Sequence, residues 1–170
     1  KMYELVNNKD YLGEVESCLG NCGNGELSET FRLLKMDLQN SDLDTLAQGY
    51  RVTFGSGTVA MDCPPFEMYF SGSHIWQQTQ DLADISGFYK AYGLEIAEGD
   101  PTSRWDHVAV ELEFMHFLTY KLAYAIENNH GKEEFELCLS GKKKFIMAHI
   151  GRWIYAFSTT VGKKSPLEFY

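Results

Sequence analysis

The chain has 170 residues, enough for one domain of ordinary size and little more. Its 24 acidic residues against 15 basic ones leave a formal charge of −9, which excludes a general nucleic-acid binder, since such a protein needs a cationic face to displace counterions from phosphates. Hydrophobic residues at 44 % and aromatics at 14 % exclude global disorder, and the 4 prolines leave long helices unbroken.

The opening Lys1-Met2-Tyr3-Glu4 lacks the basic, apolar, small-residue order of a secretory signal. Cys18, Cys22, Cys63 and Cys138 are therefore expected as reduced thiols in a cytoplasmic protein. A start at Lys1 suggests that an initial segment precedes this chain. The glycine cluster Gly20-Asn21-Cys22-Gly23-Asn24-Gly25 reads as a loop between two helices. Ser41 with Asp44 resembles a capping box, after which Leu43, Leu46, Ala47, Tyr50 and Phe54 recur at helical spacing up to Gly55-Ser56-Gly57. Val59 to Phe70, with Pro64-Pro65, reads as a long irregular connection. The next helix is predicted from about His74 to Tyr92, with Ile75, Leu82, Ile85, Tyr89 and Tyr92 on one side and Gly93 as its stop.

A longer helix is predicted from near Ser103, with Ser103 and Asp106 as its capping box, to about Asn128. From Val108 to Ile126 it is apolar on nearly every face, yet Glu111, Glu113, His116 and Lys121 interrupt it. A charge at the centre of a membrane span costs about 2.5–3.5 kcal/mol, so the segment is expected as a central buried helix and not a span. In the last stretch Ile146, Ile150, Trp153, Ile154, Phe157 and Val161 follow helical spacing, flanked by Phe145 and His149. No alternating segment competes. The chain reads as all-α, a single-domain helical bundle over residues 1–170 with a hinge around residues 94–107.

Several residue groups invite chemistry. Glu113-x-x-His116 and Glu127-x-x-His130 have the spacing of ferritin-like di-metal ligands, but on one helix they lie roughly 21 Å apart at 1.5 Å per residue. They cannot share a centre, and Glu113 and His116 are expected as buried polar groups with hydrogen-bond partners; no metal or other cofactor is expected. Cys18-x-x-x-Cys22 is one residue too long for a zinc knuckle and lacks a second pair, so the two cysteines bound a loop, a functional thiol pair being the alternative. Asp106-His107 reverses the His-Asp order of a metal-dependent hydrolase. Its plainer reading is an aspartate at a helix N-terminus, where the macrodipole favours a carboxylate, beside a histidine bonded to the backbone. Lys142-Lys143-Lys144, after Glu133-Glu134-x-Glu136, reads as a solvated face. No nucleophile elbow, phosphate loop or dinucleotide fingerprint is present.

Three segments in order resemble the TorD/DmsD/NarJ family of redox-enzyme maturation chaperones. Leu46-x-x-x-Tyr50-x-x-x-Phe54 and Pro64-Pro65-Phe66-Glu67-x-Tyr69 are similar to its Tyr/Phe helix and Pro-Tyr-Glu-Ser-x-Tyr segment. Asp106-His107-Val108-Ala109-Val110-Glu111-Leu112-Glu113-Phe114-Met115 resembles its Asp-His…Glu-Leu-x-Phe-Met signature, and His149-x-x-x-Trp153-x-x-x-Phe157 its C-terminal helix. Tyr89-x-x-x-Gly93-Leu94 matches the family's Tyr…Gly-Leu helix end. Two departures stand out. The family proline lies two residues before the Asp, whereas here the nearest is Pro101, and the first forty residues lack the family's opening helix pattern.

The resemblance implies an all-helical cytoplasmic chaperone, not an enzyme. It implies binding to the twin-arginine signal peptide of the apo-form of a molybdopterin-dependent oxidoreductase catalytic subunit, held until its cofactor is inserted. Carried over residue by residue, Asp106 and His107 fall on the binding hinge, and Pro64, Pro65, Glu67 and Tyr69 on the facing loop. A leader peptide presents arginines and then an apolar helix-forming run, so its receptor needs carboxylates at the rim and an apolar, aromatic trough. Glu67, Asp100 and Asp106 are the candidates for the first, and Trp76, Trp105, Phe66 and Tyr69 for the second. Neither nucleic acid nor a membrane is an expected partner; a monomer or a domain-swapped dimer fits the family. Two other readings compete. One is a metal- or haem-dependent helical enzyme using Asp106, Glu113 and His116; the other is an assembly factor that binds a folded subunit instead of a leader.

Overall fold

The computed structural model describes residues 9–55, 63–72, 74–96, 104–129 and 131–170. Among them it shows eight helices: α1 Lys9–Asn21, α2 Gly25–Asn40, α3 Leu43–Phe54, α4 Glu67–Phe70, α5 Ile75–Ala91, α6 Val108–Glu127, α7 Lys132–Ala148 and α8 Ile150–Lys164. The only β pairing among the described residues is an isolated bridge between Phe66 and His107. The all-α class read from the periodicity holds. By contacts the chain divides into two units, one of residues 1–62 with 164–170 and one of residues 63–163.

In the first unit α1 and α2 form a hairpin. Gly23 turns the chain at φ 67°, a backbone region that L side chains rarely occupy, and the Asn24 side chain accepts the Leu27 N–H at 3.2 Å to cap α2. The predicted glycine loop is thus shorter than expected, since Gly20 and Asn21 end α1 and Gly25 begins α2. The start of α3 is capped by Asp42, whose carboxylate accepts the Thr45 N–H at 2.9 Å and its hydroxyl at 2.7 Å. The capping box expected from Ser41 and Asp44 gives way to its neighbour, whose two-oxygen side chain meets both donors. The C-terminal tail folds onto α3. The Tyr170 hydroxyl donates to the Leu46 carbonyl at 2.9 Å, and Leu167 fills the space that a side chain at Gly49 would occupy.

The second unit is built around Met68, Ile85, Tyr89, Phe114, Leu118, Phe145 and Ile150. Helix α6 contributes Glu111, Phe114, Leu118, Leu122 and Ala125, a stripe at three- and four-residue spacing. Its opposite side leaves Leu112, Tyr120 and Ile126 exposed. It therefore buries one stripe, although its sequence is apolar nearly all round. The last predicted helical stretch is two helices. The chain breaks at His149, with φ −125° and ψ −102°, and the buried stripe changes phase from Cys138, Gly141 and Phe145 to Ile150, Trp153, Phe157 and Val161. Phe145 and His149, read as flanking residues, are buried, while Ile146 is exposed. Among the described residues no helix is long and apolar enough to cross a membrane.

Candidate functional site

The connection expected to be irregular as far as Phe70 ends in the short helix α4, and the stretch from Cys63 to Glu67 lies beside the one that leads into α6. The Glu67 N–H donates to the Asp106 carbonyl at 2.9 Å, and the Val108 N–H to the Pro65 carbonyl at 2.9 Å. Pro65 lacks an N–H and contributes only its carbonyl, so proline is tolerated at this position of the ladder. Pro64 and Pro65 are buried. Asp106 is fully buried and takes three hydrogen bonds: Arg104 Nε at 3.0 Å, Arg104 Nη2 at 2.9 Å and the Met68 N–H at 3.3 Å. The Arg104 guanidinium also lies 4.3 Å from the Phe66 ring centroid, and Phe66 meets the His107 ring edge-on.

His107, not Asp106, caps α6, its Nδ1 accepting the Ala109 N–H at 3.1 Å. The helix starts at Val108, later than the predicted Ser103, because the Asp106 carboxylate is committed to the neighbouring segment. Ser103 and Asp100, with residues 97–103 of the predicted hinge, lie outside the described residues.

Trp105 stacks on Tyr89 at 5.2 Å between ring centroids and accepts the Tyr89 hydroxyl at its carbonyl, 3.2 Å away. It also walls a cleft of about 350 Å³ with Leu94, Ile96, Phe114 and Phe117. Glu95 and Glu113 are the only charged groups among the described residues that line it. Val110, Glu113, Phe114 and Phe117 reach the cleft at helical spacing, which is the signal in the sequence that could have found them.

Beneath the paired segments sits a buried polar cluster. Glu67 Oε2 meets His149 Nδ1 at 3.2 Å, and His149 Nε2 lies 3.4 Å from Asp84 Oδ2, short of hydrogen-bond geometry. Glu111 accepts the Trp153 indole N–H at 3.1 Å through Oε2, while its Oε1 has no donor. Burial first, and the charge of Glu67 second, push the Glu111 carboxyl up to about 9. Burial likewise raises the Tyr89 phenol well above its ordinary range, helped by the nearby carboxylates, so it stays neutral.

Of the predicted site residues, Pro64, Pro65, Phe66, Glu67, Asp106 and His107 come together, and Trp105 joins them to the cleft. Glu67 and Asp106 point inward, not to a rim as expected, because each finds a cationic or donor partner inside. Tyr69 is exposed on α4, and Trp76 is 90 % exposed in the first turn of α5 and does not line the cleft. Glu113 and His116, expected to be buried, are exposed, since both lie off the Glu111–Phe114–Leu118 stripe. His130 lies outside the described residues, among which no three His, Cys, Asp or Glu side chains are grouped to hold a metal ion. Cys18 and Cys22 are exposed, and Cys63 and Cys138 are buried.

The family model described as nitrate reductase delta subunit matches residues 23–159. A perchlorate reductase assembly chaperone protein of Dechloromonas aromatica (strain RCB) is 28% identical over 109 residues, 62% of this chain and 46% of that protein. The matched segment thus spans less than half of that curated relative. No solved structure matches the chain. The chain belongs to the nitrate reductase delta subunit family, a family of NarJ/TorD-type redox-enzyme assembly chaperones and not of catalysts.

Proposed function

We propose that this chain is a system-specific cytoplasmic chaperone. Its ligand is the N-terminal, twin-arginine-type leader of a molybdopterin-dependent oxidoreductase catalytic subunit in its apo-form. Binding retains that subunit until its cofactor is inserted and it has folded and assembled for export. The observation that carries the reading is the cleft beside Trp105, apolar along its walls and bearing the carboxylates of Glu95 and Glu113. A guanidinium gains most from a carboxylate that can accept two parallel hydrogen bonds, and the apolar run that follows gains from burial against aromatic rings. The bridged segments at Pro64–Glu67 and Arg104–Val108 supply the fixed base, since they hold Trp105 and the first turn of α6 in place. A reductase client is in keeping with the name of the perchlorate reductase assembly chaperone protein to which the chain is similar.

Co-purification tests the reading at the level of the client. A tagged form of this chain is expected to retain the full-length subunit and to lose the subunit stripped of its leader. Equal retention of both would overturn leader recognition and favour binding to the folded body of the client.

A further inference from the structure

We infer that Glu111 is a positioning residue, which fixes the Pro64–Phe70 segment, and through it the base of the cleft, by sharing one proton with Glu67. The inference rests on the leader-binding reading only for its effect on affinity.

Both carboxyl groups are buried, Glu67 at 4% and Glu111 at 0% exposure, and they lie within hydrogen-bonding reach of each other. Glu111 Oε2 is occupied by the Trp153 indole, which leaves Oε1 without a donor unless a proton lies between the two acids. Two adjacent anions in a dry site repel strongly, so one of the pair retains its proton. The groups around the pair, taken element by element, do not supply an alternative. From α5, Tyr89 remains a neutral phenol, and Asp84 faces the far nitrogen of His149. Before α6, the Asp106 carboxylate is paired with Arg104. Between α7 and α8, His149 faces Glu67, and from α8 the only polar atom shown on Glu111 is the Trp153 N–H.

The upward shift of Glu111 to about 9, caused first by burial and then by Glu67, is consistent with this geometry. At neutral pH the acid is protonated, and above that value its proton leaves to solvent. The resulting pair of anions pushes Glu67 outward. Glu67 is also the residue whose N–H pairs with the Asp106 carbonyl, and Met68 beside it pairs with the Asp106 carboxylate. Expelling it loosens the contact that holds Trp105.

The test uses the full chain labelled with nitrogen-15, in wild-type form and as Glu111→Gln. The indole N–H resonances of Trp105 and Trp153, assigned by Trp→Phe variants, are followed between neutral pH and about pH 10. Affinity for a synthetic twin-arginine leader peptide is measured by calorimetry at both ends of that range. Both wild-type resonances are expected to move with one midpoint near 9, and leader affinity to fall roughly five- to tenfold across the range. Glu111→Gln, whose amide supplies the missing donor at any pH, is expected to abolish both changes while it binds as the wild type does at neutral pH. Resonances that stay flat in the wild type, or move equally in the variant, would overturn the shared proton. Movement of Trp153 without Trp105, or with unchanged affinity for a bound leader, would overturn the positioning role. A leader that binds at neither pH would overturn the leader reading alone, since the two indole signals still decide this inference. Should Glu111→Gln not fold, Glu67→Gln decides it: removal of the neighbouring charge is expected to lower the Trp153 midpoint, and an unchanged midpoint would refute the pairing.

Discussion

Arg104 holds the fully buried carboxylate of Asp106 in two parallel hydrogen bonds, Nε to Oδ1 at 3.0 Å and Nη2 to Oδ2 at 2.9 Å. The pair is asymmetric. Arg104 remains about half exposed and can return to water, whereas Asp106 cannot. Removing the arginine strands a buried charge, while neutralising the aspartate does not. Arg104→Ala is therefore expected to lower stability by about 2–3 kcal/mol and Asp106→Asn by about 1 kcal/mol, the exposed guanidinium keeping both below the cost of a fully buried pair. Urea denaturation of the two variants checks the order.

Glu111 sets a pH dependence whose sign follows from its raised value. Below its ordinary value of 4.5 the acid is protonated in both the folded and the unfolded chain. Above it the unfolded chain ionises while the folded chain keeps its proton. The unfolded state then binds fewer protons, and this group's contribution falls as pH rises, up to about 9, where the folded state ionises as well. Glu111→Gln is expected to flatten the decline of stability with pH over that window. Melting temperatures of the two proteins at intervals across it are the measurement.

The two sides of α6 should respond differently to truncation. Leu118 is fully buried in the core with Phe114 and Phe145, and Leu112 is half exposed. Leu118→Ala is expected to cost about 2–5 kcal/mol, and Leu112→Ala to stay within about 0.5 kcal/mol. Chemical denaturation of both variants reads the contrast directly.

Glycines in two helices predict opposite outcomes. A side chain at Gly141 would collide with the Tyr92 hydroxyl, which donates to the Leu137 carbonyl at 3.2 Å, whereas Gly87 on α5 faces open space. Gly141→Ala is expected to destabilise by about 1–3 kcal/mol, and Tyr92→Phe to relieve part of that loss. Gly87→Ala is expected to stabilise by about 0.5–1 kcal/mol through helix propensity. Thermal melts of the single and double variants test both.

Helices α3 and α5 were legible because an apolar stripe and a glycine stop agree there, although the residue that caps α3 is Asp42 and not the expected Ser41. The start of α6 was not, since the competition of Met68 and Arg104 for Asp106 is long-range or depends on loop geometry. Nor was the break at His149, whose side chain meets Glu67 from far along the chain. At the site, the pairing of the proline segment with Asp106-His107 was anticipated from their likeness to a family. The cleft was written in Val110, Glu113, Phe114 and Phe117 but concealed by an apolar pattern that pointed to burial all round. The inward turn of Glu67 and Asp106 depends on partners that only the fold brings near.

Calorimetric titration of a twin-arginine leader peptide into the intact chain tests the central claim most directly. Saturable one-to-one binding is expected, weakened about tenfold by Trp105→Ala or Glu113→Gln, with helical content unchanged by circular dichroism. Replacing the two arginines of the peptide with glutamines should weaken it by a similar factor. A leader that binds the wild type and both variants equally, or binds as well without its arginines, would contradict the account.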